Sequence, residues 1–274
     1  MKNRRVVLIT GASSGFGRAS AEYLAEKGGY WVFGTSRYPE KVEPFDTEEW
    51  LEIIKMDVNC NESVKKGIVF VMQKAGRIDI LINNAGFGLT GSIEDTSLKE
   101  ARHQFETNFW GMDRTCLQII PIMREQGSGY IINISSLAGL VGIPFQAFYS
   151  ASKFAVEGFT ETLRMEVKPF GIRVVLVEPG DFNTTLTFNR QKTKEAQEKT
   201  VYWESFQKAL SAAEESERKG GSPEKVAHLI EKIINTGDPN LRYKIGPSST
   251  LVSLKAFIPA RICEYLIRKT FKLI

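Results

Sequence analysis

The sequence predicts an α/β fold: one domain built on a doubly wound, parallel, seven-stranded sheet with helices on both faces. Three observations predict it. Short apolar runs alternate with segments of helical periodicity from Val6 to Gly246, the pattern of successive βαβ units. The first apolar run passes directly into a glycine-rich turn that opens a helix. Hydrophobic residues at 42% and charged residues at 25% are ordinary for a globular chain, with no shift in composition that marks a linker. We therefore take residues 1–250 as one domain and residues 251–274 as an amphipathic tail.

The elements follow in order. Val6 to Thr10 is the first strand. Gly11-Ala-Ser-Ser-Gly15-Phe-Gly17 is the turn, and Phe16 to Lys27 is a helix stopped by Gly28-Gly29. Such glycines let a backbone turn tightly and approach a pyrophosphate, which a helix N-terminus favours; a plain turn is the alternative reading. Tyr30 to Thr35 is the second strand. The acidic residue that would bond a free ribose 2′-hydroxyl is missing at its end, where Ser36 and Arg37 stand. A guanidinium there can pair with a 2′-phosphate, so the expectation is NADP(H), unless Arg37 is only a solvated surface residue.

Leu51 to Met56 is the third strand, followed by Asp57-Val58 and a helix from about Glu62 to Ala75. Ile78 to Ile82 is the fourth strand, ending in the small-residue turn Asn83-Asn84-Ala85-Gly86. Leu98 to Glu125 has one long helical pattern bearing Asn108 among Phe105, Phe109 and Trp110. An Asn in that setting needs hydrogen-bond partners, or else marks a kink.

Tyr130 to Ile134 is the fifth strand, and Ser136 emerges at its carboxyl edge, where open α/β sheets bind ligands. The segment after Pro144 reads as a helix to about Lys168. On it Tyr149 and Lys153, four residues apart, share a face, so the ammonium is expected to lower the phenol pKa toward a range useful for acid–base work. Tyr and Lys at that spacing are also common surface neighbours. Arg173 to Glu178 is the sixth strand, closed by Pro179-Gly180, and Arg242 to Gly246 is the seventh, after a helix from Pro223 to Thr236.

Between them, residues 181–221 lack strand signals and lie at the carboxyl edge of the sheet, which makes a candidate lid over a bound molecule; the charges at Lys192 to Lys199 read as a solvated helical face. Leu89, Val141, Ile143, Phe145, Phe148, Phe182, Leu186 and Phe188 are expected to border the cleft, or else to be core. The tail mixes Leu254, Phe257, Ile258, Ile262, Leu266, Ile267 and Phe271 with Lys255, Arg261, Arg268, Lys269 and Lys272. It either packs on the domain and caps the cleft, or lies on an anionic membrane.

Composition excludes several classes. A net charge of +4 without an aromatic-interleaved basic stripe gives no support to nucleic-acid binding, so the expected partners are small molecules. Cys60, Cys116 and Cys263 fit neither a disulfide framework nor a zinc site, which points to a reducing compartment and no metal. The apolar run after Met1-Lys-Asn-Arg-Arg5 is too short for a signal peptide, and no stretch of about 18 apolar residues occurs. The expected location is cytoplasmic, with peripheral membrane contact through the tail as the variant.

Taken together, the Thr10–Gly17 turn, Asn83-Asn-Ala-Gly86, Ser136 and the Tyr149/Lys153 pair resemble the short-chain dehydrogenase/reductase family, a Rossmann-type fold, over nearly the whole chain. The run from Ser135 through Gly158 with Val177-Glu-Pro-Gly180 resembles the branch holding 17-beta-hydroxysteroid dehydrogenase type 1 and the retinol dehydrogenases. The resemblance implies catalytic Asn108, Ser136, Tyr149 and Lys153, with Asn108 holding a water beside the lysine. It implies cofactor contacts at Gly11, Ser13, Ser14, Gly15, Phe16 and Gly17, then at Ser36, Arg37, Asp57 and Val58. Further contacts are implied at Asn84, Ala85, Gly86, Tyr149, Lys153, Pro179 and Gly180.

The implied activity is NADP(H)-dependent interconversion of a ketone or aldehyde and an alcohol on a bulky apolar substrate of the steroid, retinoid or keto-lipid class. The implied assembly is a homodimer or homotetramer through the helices at 98–125 and 149–168. Two other readings stand beside it: a cofactor-binding regulator or scaffold with little turnover, and the sugar-nucleotide epimerases and dehydratases, which share a Tyr-x-x-x-Lys pair.

Overall fold

A computed structural model describes residues 4–45, 49–184, 190–197 and 200–274. Seven strands form the main sheet: β1 (Arg5–Ile9), β2 (Tyr30–Ser36), β3 (Leu51–Lys55), β4 (Ile80–Asn83), β6 (Gly129–Ile134), β7 (Ile172–Pro179) and β9 (Arg242–Ile245). Their order is β3-β2-β1-β4-β6-β7-β9, and every pair is parallel. The register runs straight through the core, with Leu8 beside both Phe33 and Leu81, and Ile132 beside both Ile82 and Val175.

The strands read as continuous apolar runs because both faces are covered. Leu8, Phe33, Leu81, Ile131 and Leu176 pack on one face, toward α2 (Asn61–Ala75), α4 (Gly111–Gln126) and α5 (Ala147–Val167). Val7, Val32, Ile80, Ile132 and Val175 pack on the other, toward Leu24 of α1 (Gly15–Lys27) and Val226 and Ile230 of α7 (Glu224–Ile234).

The sheet winds outward in both directions from β1 and β4, so the crevice between their carboxyl ends is the topological switch point. Beneath it a buried polar ladder ties four elements together. Thr115 donates to Asn83 at 2.5 Å, Asn83 to Asn133 at 2.9 Å, and Asn133 to Thr160 at 2.9 Å. Each of these four residues is at most 5% exposed, so an unpaired amide there would be costly and the partners hold one another in register.

The structure corrects the long helix expected from Leu98 to Glu125. A capping box, Ser97 with Glu100, starts α3 (Leu98–Phe105), but a π-turn at Glu106–Trp110 separates it from α4. Asn108 sits in that turn. A second, two-strand sheet pairs β5 (Leu89–Thr90) with β8 (Gln191–Lys192) in parallel. The charged stretch from Lys192 is therefore no helical face: it continues from β8 into a 3-10 turn at Glu195–Gln197, and Lys199 lies outside the described residues. The remaining helices are α6 (Trp203–Arg218), α8 (Ser249–Ser253) and α9 (Ala260–Thr270). No helix among the described residues is long and apolar enough to cross a membrane.

Candidate active site

Two cavities meet at Tyr149. The larger, of about 520 Å³, follows the carboxyl edge of the sheet from Arg37 to Tyr149. Among the expected cofactor contacts, Gly11, Ser13, Ser14, Gly15, Phe16, Ser36, Arg37, Asp57, Val58, Asn84, Ala85, Gly86, Tyr149 and Lys153 all line it.

Its floor is made by docking two turns together. The Thr10 hydroxyl accepts from the backbone N–H groups of Asn84 at 2.9 Å and Ala85 at 3.0 Å, while Asn84 Nδ2 donates back to the carbonyls of Thr10 and Gly11. Gly11 has φ +66°, and a Cβ there would sit 2.9 Å from Ala85 Cα. Gly17 does not line the cleft. It lies beneath it, where a Cβ would run into the Gly11 carbonyl and the Asn84 amide. Helix α1 has no side-chain cap from Ser14 and no acid in its first turn, so its positive end is left for an anion entering the cleft. These residues fit a dinucleotide pyrophosphate: close-approach glycines at the turn and an uncapped helix N-terminus beside it.

At the far end of the cleft Arg37 is accompanied by Lys41, whose ammonium lies 4.9 Å from the Tyr38 ring centre. Neither Tyr38 nor Lys41 was legible as a site residue, because both follow the strand in a segment without periodicity. Asn59, His103, Thr107 and Gln191 also border the cleft without any sequence signal. Two of them are held from neighbouring elements: Asn59 donates to Thr107 at 3.0 Å, and His103 stacks on Phe87 at 5.1 Å.

At the inner end, Ser136 leaves β6 in extended conformation (φ −168°) and caps a 3-10 turn at Leu137–Gly139 by accepting from Ala138 N at 3.1 Å. The same hydroxyl donates to the Pro179 carbonyl at 3.5 Å, and it acts on the pKa of the nearby Tyr149 phenol. Lys153 is 6% exposed and its ammonium donates to the Ile134 carbonyl at 2.8 Å, 5.9 Å from the Tyr149 ring centre. Burial lowers its pKa to about 8, against the pull of Glu157.

The Tyr149 phenol corrects the sequence expectation. Its pKa is raised rather than lowered: burial dominates, the Ser136 hydroxyl pulls it down, Glu217 pushes it up and Arg190 pulls it down. Lys153 does not set that balance, because its ammonium is turned to the strand carbonyl. The phenol is thus a protonated group, suited to giving a proton.

Asn108 is buried, and both of its amide hydrogens are used: Nδ2 donates to Phe87 O at 3.0 Å and to Ser152 Oγ at 3.3 Å, while Oδ1 accepts from Phe87 N at 3.1 Å. Ser152 in turn donates to the Tyr149 carbonyl at 2.7 Å. Asn108 therefore ties the loop after β4 to the helix carrying Tyr149, and one lone pair of its oxygen remains for a further donor.

The second cavity, of about 210 Å³, lies on the other side of Tyr149. Phe16, Ser135, Tyr149 and Thr184 border both cavities. Pro179 and Gly180 line this one rather than the dinucleotide cleft, as do Ser136, Val141, Ile143 and Phe182. Three expected wall residues are elsewhere. Leu89 is core in β5, Phe145 packs against Phe206 at 5.6 Å with φ +59°, and Phe148 borders neither cavity. Leu186 and Phe188 lie outside the described residues.

Most of the remaining wall comes from two places. Helix α6 supplies Ala212, Ala213, Ser216 and Glu217, and the tail supplies Ile258, Leu266, Ile267 and Phe271 among others. Glu217 forms an ion pair with Arg190, whose side chain is 4% exposed. That pair, which acts on the Tyr149 phenol, had no signal in the sequence because its members are 27 residues apart in a charged region.

Residues 5–195 match the family model for short chain dehydrogenases. The chain is 41% identical over 266 residues to a 3-ketodihydrosphingosine reductase of Bacteroides thetaiotaomicron, covering 96% of this chain and 97% of the relative. It is 35% identical to retinol dehydrogenase 8 of Bos taurus, covering 93% and 86%. Among solved structures it is similar to a short-chain dehydrogenase from Streptomyces avermitilis, with TM-score 0.83, 33% identity and coverage of 99% and 98%. Two further neighbours carry nicotinamide cofactors. A Brucella melitensis 3-ketoacyl-(acyl-carrier-protein) reductase is complexed with NADH (25% identity, TM-score 0.71, coverage 88% and 96%), and ElxO has NADP bound (30%, 0.71, 88% and 97%).

Proposed function

The chain belongs to the short-chain dehydrogenase/reductase family of oxidoreductases, and from that premise we propose that it uses NADP(H) to interconvert a ketone and an alcohol on a bulky apolar substrate, a long-chain keto-lipid above all. The observation that carries this reading is the place of Tyr149, at the junction of a cleft fitted to a dinucleotide and a cavity walled by Val141, Ile143, Phe182, Leu266 and Phe271.

When bound, the reduced nicotinamide supplies the hydride to the carbonyl carbon. The protein supplies the rest. Tyr149, held protonated by its burial, gives its proton to the carbonyl oxygen, and the Ser136 hydroxyl donates to the same oxygen as charge builds there. Lys153, anchored at Ile134, would hold the ribose, and Arg37 with Lys41 would hold a 2′-phosphate. The free lone pair of Asn108 Oδ1 would hold the water through which a proton returns. Residues 181–221 act as the substrate lid, with α6 as its inner wall. The exposed apolar side chains Leu117 on α4 and Met165 on α5 form a contact between two copies, which light scattering would detect as a dimer or tetramer.

The test is NADPH and NADH oxidation over a panel of long-chain 3-ketones bearing a 2-amino group, steroids and retinal. The expected outcome is turnover with NADPH and the long-chain ketone. Tyr149→Phe keeps the ring and removes the proton, so it should lower kcat by at least about a hundredfold while cofactor still binds. Retained turnover would overturn the assignment.

A further inference from the structure

The C-terminal segment has apolar side chains on two opposite sides, and only one of them is covered. On helix α9, Cys263, Leu266 and Ile267 face inward and wall the cavity beside Tyr149. On the outer side, Ile262 is 51% and Tyr265 53% exposed, and in the turn before the helix Phe257 is 84% exposed. A helix that merely closed a pocket would carry polar residues outward. Here the outward apolar residues are flanked by the exposed Arg261, Arg268 and Lys269; Glu264, the one acid on the helix, lies 4.0 Å from Arg268 and leaves the face net positive.

We propose that this outer face docks on an anionic lipid surface, with Phe257, Ile262 and Tyr265 entering the headgroup boundary and Arg261, Arg268 and Lys269 lying against lipid phosphates. Charge decides between this occupant and a second copy of the chain. A self-complementary contact through this face would set the basic residues of one copy against those of the other, whereas an anionic membrane complements them.

The arrangement also gives the docked face a use. The residues that would touch lipid and the residues that wall the cavity are on the same helix, so a lipid substrate leaving the bilayer has one helix to pass before it reaches Tyr149. This delivery role rests on the function proposed above; the docking itself does not.

The experiment is vesicle cosedimentation of the full chain with phosphatidylcholine alone and with phosphatidylcholine containing phosphatidylglycerol. The expected result is sedimentation with the anionic vesicles, about tenfold less with the neutral ones, and loss of binding as salt is raised. Phe257→Asp with Ile262→Asp, which border neither cavity, should abolish binding while leaving the melting temperature unchanged. Arg261→Gln with Lys269→Gln should weaken it at low salt. Negligible binding to both vesicle types, equal binding to both, or binding unchanged in the Asp double variant overturns the proposal. So does a wild-type dimer that the double variant dissociates, which would assign the face to a second copy. A chain that binds vesicles yet reduces no ketone refutes the reductase reading and leaves the docking intact.

Discussion

Replacing Thr10 by valine tests the joint on which the cofactor cleft is built. The two side chains have nearly the same shape, so the change removes one hydroxyl from a position that is 1% exposed without opening a cavity. That oxygen accepts from Asn84 N at 2.9 Å and Ala85 N at 3.0 Å, and valine leaves both donors without it. A donor stranded in a protein interior costs about 1–3 kcal/mol, and because Asn84 and Ala85 border the cleft, where water reaches them, the lower end applies to each. The sum is about 2 kcal/mol, which for a chain of this size lowers the melting temperature by about 4–8 °C. The same turn lines the dinucleotide cleft, so the dissociation constant for NADPH should rise with it. Differential scanning fluorimetry and NADPH fluorescence titration measure the two effects. Thr10→Ser, which keeps the hydroxyl, should leave cofactor affinity near wild type. A Thr10→Val protein that melts within about 1 °C of wild type and binds NADPH equally well would refute the claim that this hydroxyl clamps the turns.

Two further outcomes follow from the charges. Arg37→Asp should weaken NADPH about tenfold and improve NADH, since a carboxylate repels a 2′-phosphate and accepts from a 2′-hydroxyl, and an unchanged ratio of KM values for the two cofactors would show that Arg37 does not read that position. Glu157 is buried beside the fully buried Glu178, which shares Arg242 with it, and burial raises its pKa to about 7. An acid that holds its proton more tightly folded than unfolded stabilises the fold at low pH, and that contribution is lost as pH climbs from the unfolded value near 4.5 through about 7. Glu157→Gln, which cannot ionise, should therefore gain melting temperature relative to wild type between pH 5 and pH 7.5, and a difference that stays constant with pH would contradict it.

The sequence by itself determined the sheet and most of the cleft. Continuous apolar strands bounded by turns can only be buried on both faces, and a chain of alternating strands and helices then winds into a parallel sheet whose carboxyl edge collects Gly11, Asn84, Ser136 and Tyr149. Gly11 and Ser136 are recognisable because each follows a strand-like apolar run, and Asn84 and Tyr149 stand out through the family resemblance. The tertiary structure decided what periodicity does not encode. The π-turn at Glu106–Trp110 interrupts a pattern that reads as one helix, because Asn108 there bonds across to Phe87 and Ser152. The phenol of Tyr149 is governed by burial and by Ser136, Glu217 and Arg190, not by the lysine one turn away, since a pKa depends on depth and on charges brought near from distant segments. The tail, readable from its sequence as a cap on the cleft or as a membrane helix, closes the cavity with one side and leaves the other exposed, a division that appears only once the packing surface beneath it exists.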